Sequence, residues 1–254
     1  MKYISLFLLT VLIFTSCSQR EKRVLRRVPV EKPIPLPIEK QVVCEIAIPG
    51  KIPIPGEKSI PCVIPGLIPE TIIKQAEKKY NKFSRMRYEA FNAKLKELQK
   101  SSDIVKLREI NNFFNKVPYS DDINVWYQKD YWATPWEFLG KDRGDCEDYV
   151  IAKYFALLNL GIDGQKLYLS RVNSKNFKRA HMVLSYYETP SSTPLILDST
   201  NLKILPVDKR DDLIFIYNFN GNSLCFTRES GHLNNTKVFK KWDKLLDDIE
   251  IDKF

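Results

Sequence analysis

The chain has 254 residues, of which 44% are hydrophobic, 28% charged and 12% aromatic. That balance excludes a disordered or low-complexity protein, and the length suits one core-bearing domain with an appendage rather than two large domains. The formal net charge of +9 is lysine spread along the chain; a basic exported protein looks the same, and no nucleic-acid partner is expected.

Lys2, the apolar run ISLFLLTVLIF and then TSC read as the basic region, apolar region and small-residue cleavage context of a signal peptide over residues 1–16. The run is too short to span a bilayer. Phe14-Thr15-Ser16-Cys17 resembles a bacterial lipobox, with Phe14 where leucine is usual. Cys17 is therefore expected to be lipidated and to anchor the protein to a membrane; the alternative is a plain cleaved signal with an incidental cysteine. Acyl chains anchor by about 0.8 kcal/mol per buried methylene, and the basic SQREKRVLRR that follows favours an anionic lipid surface.

Residues 17–69 read as a tether. Ten of the fifteen prolines lie between Pro29 and Pro69, and Ile-Pro recurs seven times, a pattern that excludes helix and gives extended or polyproline-like spacer. Cys44 and Cys62 sit inside it, and in an exported protein a disulfide between them is expected, with two free thiols as the alternative.

A folded domain over 70–254 follows. Ile72, Ala76, Tyr80, Phe83, Phe91, Leu95 and Leu98 recur at helical spacing and predict one amphipathic stripe. Ser101, Ser102 and Asp103 cap a second helix through Val105, Leu107, Ile110 and Phe113-Phe114, stopped by Pro118. WYQKDYWATPWEFL holds three of the four tryptophans. It is either packed core or the wall of a peptide cleft.

RGDCEDYVIAKYFALLNLGI places Cys146 at a helix N-terminus, with Gly161 as the stop. The helix dipole favours a thiolate there, whereas Asp145, Glu147 and Asp148 oppose it by like charge. A nucleophilic thiol needs a base, and the chain has only His181 and His232. His181 lies in the strand-like RAHMVLSYY, and PLILDSTN reads as the next strand, ending at Asp198. Cysteine on a helix, histidine on a strand and aspartate after the next strand is the order of a papain or transglutaminase triad. The roles are nucleophile, base and imidazole orienter. Order and spacing alone leave open whether Cys146 is merely a buried thiol and His181 structural.

INNFFNKVPYSDD, DYWATPWEFLGKDRGDCEDYVIAKYFALLNLGI, RAHMVLSYY, LILDSTN and DLIFIYNFNGNSLCF together resemble the bacterial transglutaminase-like cysteine proteinases of the LapG type, over roughly residues 83–226. The resemblance implies an α+β papain/transglutaminase-like core and a Cys146, His181, Asp198 triad. It implies a periplasmic enzyme that cuts the N-terminal region of a large surface adhesin after two alanines, freeing the adhesin and controlling biofilm formation. An inner-membrane cyclic-di-GMP receptor is the implied inhibitor. Calcium beside the catalytic cysteine is also implied, on Asp145, Glu147 and Asp148, its charge offsetting the repulsion on the thiolate. Three carboxylates cannot fill six to eight positions, so carbonyls, water or an acid such as Asp130 must add ligands. The purely structural alternative is that Glu147 and Asp148 only favour the first helical turn.

For the oxyanion, the Cys146 amide is one expected donor and an indole from Trp126 or Trp132 the other. Thr200 and Ser199 follow Asp198 where the family pattern has Asn directly after the acid. His232 is expected to be a solvated loop residue and Cys225 a buried inert thiol. Acyl transfer by the same triad and a catalytically idle partner-binding lipoprotein are the competing functions.

Overall fold

The prolines end and the helices begin at Pro69. The computed structural model describes residues 42–45, 67–220, 224–227 and 235–250. The expected single stripe is two helices, α1 (Glu70–Lys79) and α2 (Lys82–Leu98). Asn81 makes the break: its Oδ1 accepts the amides of Phe83 and Ser84 at 2.9 and 3.1 Å, caps that compete with continuing the helix. Ser84 Oγ then donates to Ala76 O at 3.0 Å and staples the corner. Ile73, Ala76, Tyr88, Phe91, Leu95 and Leu98 are buried, while Phe83, counted in the stripe, is 56% exposed because the break rotates it outward. Helix α3 (Asp103–Phe114) buries Leu107, Ile110 and Phe114 as its spacing predicts.

A short α4 (Asp122–Val125) and α5 (Pro135–Lys141) follow. Thr134 Oγ1 accepts the Glu137 amide and Glu137 Oε2 accepts the Thr134 amide, a reciprocal cap that sets where α5 starts. Helix α6 (Cys146–Asn159) is buried without interruption from Asp148 to Leu157. A helix covered all round cannot roll, and each buried Leu, Ile or Phe adds about 1.5–3 kcal/mol to that placement. Gly161, at φ +82°, takes the left-handed turn that ends it.

Seven strands form one antiparallel sheet in the order β1-β7-β6-β2-β3-β4-β5. They are β1 (Val42–Glu45), β2 (Leu167–Ser174), β3 (Arg179–Tyr186), β4 (Leu195–Leu197), β5 (Leu205–Pro206), β6 (Leu213–Phe219) and β7 (Leu224–Thr227). Helix α6 packs on β2 and β3, giving a helical layer against an antiparallel sheet. The Pro-rich stretch contributes β1 from its proline-free Val-Val-Cys-Glu, and Cys44 lies opposite Cys225 in the β1–β7 register. Cys17, Cys62 and His232 lie outside the described residues, as does the expected signal segment.

Helix α7 (Asn235–Glu250) closes the described chain. Trp242 is 1% exposed and packs among Tyr154, Phe155 and Phe219 at 5.7, 5.8 and 5.1 Å between ring centroids. No described helix is long and apolar enough to cross a membrane.

Candidate active site

Gly144 and Asp145 bring the chain into α6, and the entry is tight. A Cβ on Gly144 would stand 2.4 Å from Asp148 Oδ2 and 2.7 Å from Phe138, so only glycine lets the turn pass this close. Asp148, fully buried, ties the entry down: its Oδ1 accepts the Ala133 amide at 2.9 Å and its Oδ2 the Asp145 amide at 3.3 Å. Cys146 is the first residue of α6, where backbone amides have no partner within the helix. The Cys146 amide is therefore placed as an anion donor.

The Cys146 thiol donates to Glu147 Oε2 at 3.0 Å. Burial pushes the thiol well above its ordinary value, and the Glu147 and Asp145 charges push it further. A backbone hydrogen bond from Met182 pulls the other way, and that contact sets Cys146 against β3 at the residue next to His181.

His181 sits on β3 opposite Val172 of β2 and is 7% exposed. Its Nε2 lies 2.8 Å from Asp198 Oδ1. With an ionised Asp198, Nε2 carries the hydrogen and donates it, so in the neutral ring the basic lone pair is on Nδ1. Asp198 follows β4 directly and is fully buried. Burial would raise its pKa, but hydrogen bonds from His181, the Thr200 amide and Arg210 hold it well below the usual carboxylate range. Thr200 supplies both its amide, at 2.8 Å, and its hydroxyl, at 2.9 Å, to Asp198 Oδ1. Arg210 Nη2 meets Oδ2 at 2.7 Å, and Arg210 is itself held by Asp212. Asn115 Nδ2 donates to the Asp198 carbonyl at 2.8 Å. Thus Thr200, in the LDST that departs from the expected Asn, helps to pin the carboxylate.

Arg210, Asn115 and Thr200 were not legible as site residues, because each reaches Asp198 from a loop or from a distant helix. Lys153 is a further one. It lies on α6, is fully buried, and its Nζ has no hydrogen-bond partner among the described residues. Burial pushes it down to about 7, against an opposing pull from Asp198.

Next to Cys146 lies a concentration of carboxylates. Oxygens of Asp122, Asp145 and Asp148 lie within 4.8 Å of one another, as do those of Asp122, Asp130 and Glu147. Asp122, which the sequence did not single out, is 2% exposed. Its Oδ2 accepts the Tyr131 amide at 2.5 Å. Asp122 Oδ1 and Asp145 Oδ1 are buried with no hydrogen-bond partner in the described structure. Burial and the neighbouring carboxylates push Asp122 up to about 6 and raise Asp145 and Asp148 more strongly. Unpaired buried carboxylate oxygens are costly. Two of them within a cluster of carboxylates fit a hard cation bound through oxygen. Asp122 and Asp130 thus lie among the expected Asp145, Glu147 and Asp148 in these clusters, and Asp148 also accepts two backbone amides.

The aromatic segment divides. Trp132 and Trp136 belong to the core at 9% and 8% exposure, while Tyr127 is 86% exposed. Trp126 packs against Tyr131 with ring centroids 4.7 Å apart and planes tilted by 39°, and its buried Nε1 has no hydrogen-bond partner among the described residues. Of the two expected indole donors, Trp126 is the one with a buried unpaired N–H.

The family described as bacterial transglutaminase-like cysteine proteinase matches residues 76–217. The solved structure of Legionella pneumophila LapG is 38% identical, with a TM-score of 0.61 over 72% of this chain and 98% of that one. EGTA-treated L. pneumophila LapG matches with 38% identity and a TM-score of 0.62 over 72% of this chain and 98% of that one. The calcium-bound form matches with 37% identity and a TM-score of 0.62 over 71% and 98%. No curated protein matches.

Proposed function

The chain belongs to the bacterial transglutaminase-like cysteine proteinases, and we propose that it is a calcium-dependent endopeptidase of the periplasm, held at a membrane through lipidated Cys17. Its proposed substrate is the N-terminal region of a large surface adhesin, cut at a di-alanine site, so that cleavage releases the adhesin and limits biofilm. A cyclic-di-GMP receptor of the inner membrane is the proposed inhibitor. The observation that carries the catalytic part is the His181–Asp198 pair at 2.8 Å, beside a cysteine that starts a buried helix and meets the amide next to His181.

The chemistry follows from those positions. His181 Nδ1 takes the thiol proton, and the Cys146 sulfur attacks the scissile carbonyl carbon. The carbonyl oxygen becomes an oxyanion, met by the Cys146 amide and the Trp126 indole. As the C–N bond breaks, the imidazolium returns its proton to the leaving amine, and the acyl group remains as a thioester on Cys146. Water then loses a proton to His181 and attacks the thioester; the imidazolium reprotonates the departing thiolate, and the new carboxylic acid leaves and gives its remaining proton to solvent. Asp198 stays ionised, holding the imidazole in the productive tautomer and stabilising the imidazolium.

Calcium when bound supplies positive charge beside the thiolate. Asp145, Glu147, Asp122 and Asp130 would hold it, with Asp148 ordering the loop that carries them. The unpaired oxygens of Asp122 and Asp145 support this, as does the calcium-bound form of the L. pneumophila relative.

Membrane and soluble fractions of cells expressing the wild type or Cys17→Ala are incubated with a protein fragment containing an Ala-Ala site, and the products are analysed by mass spectrometry. Two fragments divided at that site, made by wild-type membranes and by the soluble fraction of the variant, are expected. A crosslinked or amine-substituted product would put acyl transfer in place of hydrolysis. Activity of Cys17→Ala that still sediments with membranes would remove the lipid anchor.

A further inference from the structure

Helix α7 sends Lys241 to Asp130, a member of the carboxylate cluster. Lys241 Nζ forms an ion pair with Asp130 Oδ1, lies 5.4 Å from the centroid of the Trp132 ring, and exerts a charge effect on Asp122. Asp130 and Asp122 belong with Glu147 to one of the oxygen clusters. The neighbouring residue in the chain, Trp242, is 1% exposed and stacked on Phe155 at an interplanar angle of 10°. The Lys241 backbone is thereby held in place, while its side chain, partly exposed, has rotamers available to swing away. Lys244, one position further along that face, instead lies 5.3 Å from the Tyr131 ring and pairs with Asp248.

We propose that Lys241 is a tethered cation at the outer edge of the metal site, and that calcium binds by displacing its ammonium from Asp130. Lys241 therefore sets how tightly the metal is held. This rests on the calcium reading above. An ammonium and a divalent ion drawn to the same carboxylate repel each other across a few ångströms of partly solvated protein, and the ion must also break the existing ion pair. Without metal, Lys241 neutralises part of a cluster whose carboxylates would otherwise face one another unpaired. Metal affinity is lowered and the metal-free protein is stabilised by the same residue.

The test is calorimetric titration of the purified full chain with calcium, comparing wild type, Lys241→Met, Lys241→Arg and Lys240→Met. Methionine keeps an apolar stem over Trp132 and removes the charge, arginine keeps the charge, and Lys240, exposed on the same helix, controls for net charge. Lys241→Met is expected to bind calcium about tenfold more tightly than wild type, while Lys241→Arg and Lys240→Met stay within about twofold of it. Equal or weaker binding by Lys241→Met, with calcium still bound by wild type, overturns the displacement and leaves the calcium site standing. The same gain in Lys240→Met would reduce the effect to net charge and overturns it too. No calcium binding by any of the four proteins overturns the displacement together with the calcium reading.

Discussion

Replacing His181 by alanine is expected to lower kcat/KM on the proposed Ala-Ala peptide by about 10³-fold or more, and Asp198→Asn to lower it by about 10²–10⁴-fold. The first removes the only described imidazole, which stands on β3 directly before Met182, the residue whose backbone meets Cys146. The second is nearly isosteric, yet a carboxamide cannot stabilise the imidazolium, and it can present an N–H to Nε2 where the carboxylate accepts one. The wrong tautomer then places a hydrogen on Nδ1, where the lone pair is needed. Because the two residues act as one unit, the double variant is expected to be little worse than His181→Ala alone. Steady-state kinetics on the three variants check this. Losses that add fully in the double variant would mean that Asp198 and His181 contribute separately, and a near-normal His181→Ala would point to a different base.

Calcium chelation is the second large effect. With the ion removed, Cys146 is left with burial and the charges of Glu147 and Asp145, all of which raise the thiol. A higher thiol pKa leaves less thiolate at neutral pH, so both peptide cleavage and alkylation of Cys146 are expected to slow in EGTA. Alkylation rates followed by mass spectrometry check this without a substrate; an unchanged rate in EGTA would remove the ion from thiolate stabilisation.

The same carboxylates predict the pH dependence of the chelated protein. Asp122 is pushed up to about 6 when folded, with Asp145 and Asp148 raised as well, above the ordinary aspartate value of about 3.9 in an unfolded chain. In that window the folded state holds more protons than the unfolded state, so chelated-protein stability falls as pH rises from about 4 through 6 and beyond. Calcium competes with those protons and adds stability to the folded state. The gap in Tm between calcium-loaded and chelated protein should therefore widen from pH 5 to pH 8, and a constant gap would contradict it.

Local pattern made much of this legible. Cys146 starts a helix because Gly144 and Asp145 precede a long run of helix formers, and His181 and Asp198 fall on and after strands whose composition shows them. The break at Asn81 was hidden because apolar spacing continues across it; only the side-chain cap onto Phe83 and Ser84 ends the first helix. Arg210 and Asn115 reach Asp198 from 12 and 83 residues away and leave no periodic trace, while Thr200, two residues on, closes a local turn that an ordinary strand end also makes. Asp122 carried no signal either: an aspartate in the first turn of a four-residue helix looks like a partner of the helix dipole until Tyr131 and the carboxylates around Cys146 fold around it. Trp132 and Trp136 were ambiguous because core and cleft ask for the same side chains. Helix α7 carries Trp242, Leu245, Leu246 and Ile249 on its buried face at helical spacing, with Val238 packed against them.

The most direct measurement is an acid quench of the purified protein during turnover of an Ala-Ala substrate, followed by peptide mapping of the trapped adduct. A thioester carrying the N-terminal fragment on Cys146, present in wild type with calcium and missing in Cys146→Ala, is the predicted result. Sustained cleavage by Cys146→Ala, or an acyl adduct on another residue, would contradict it.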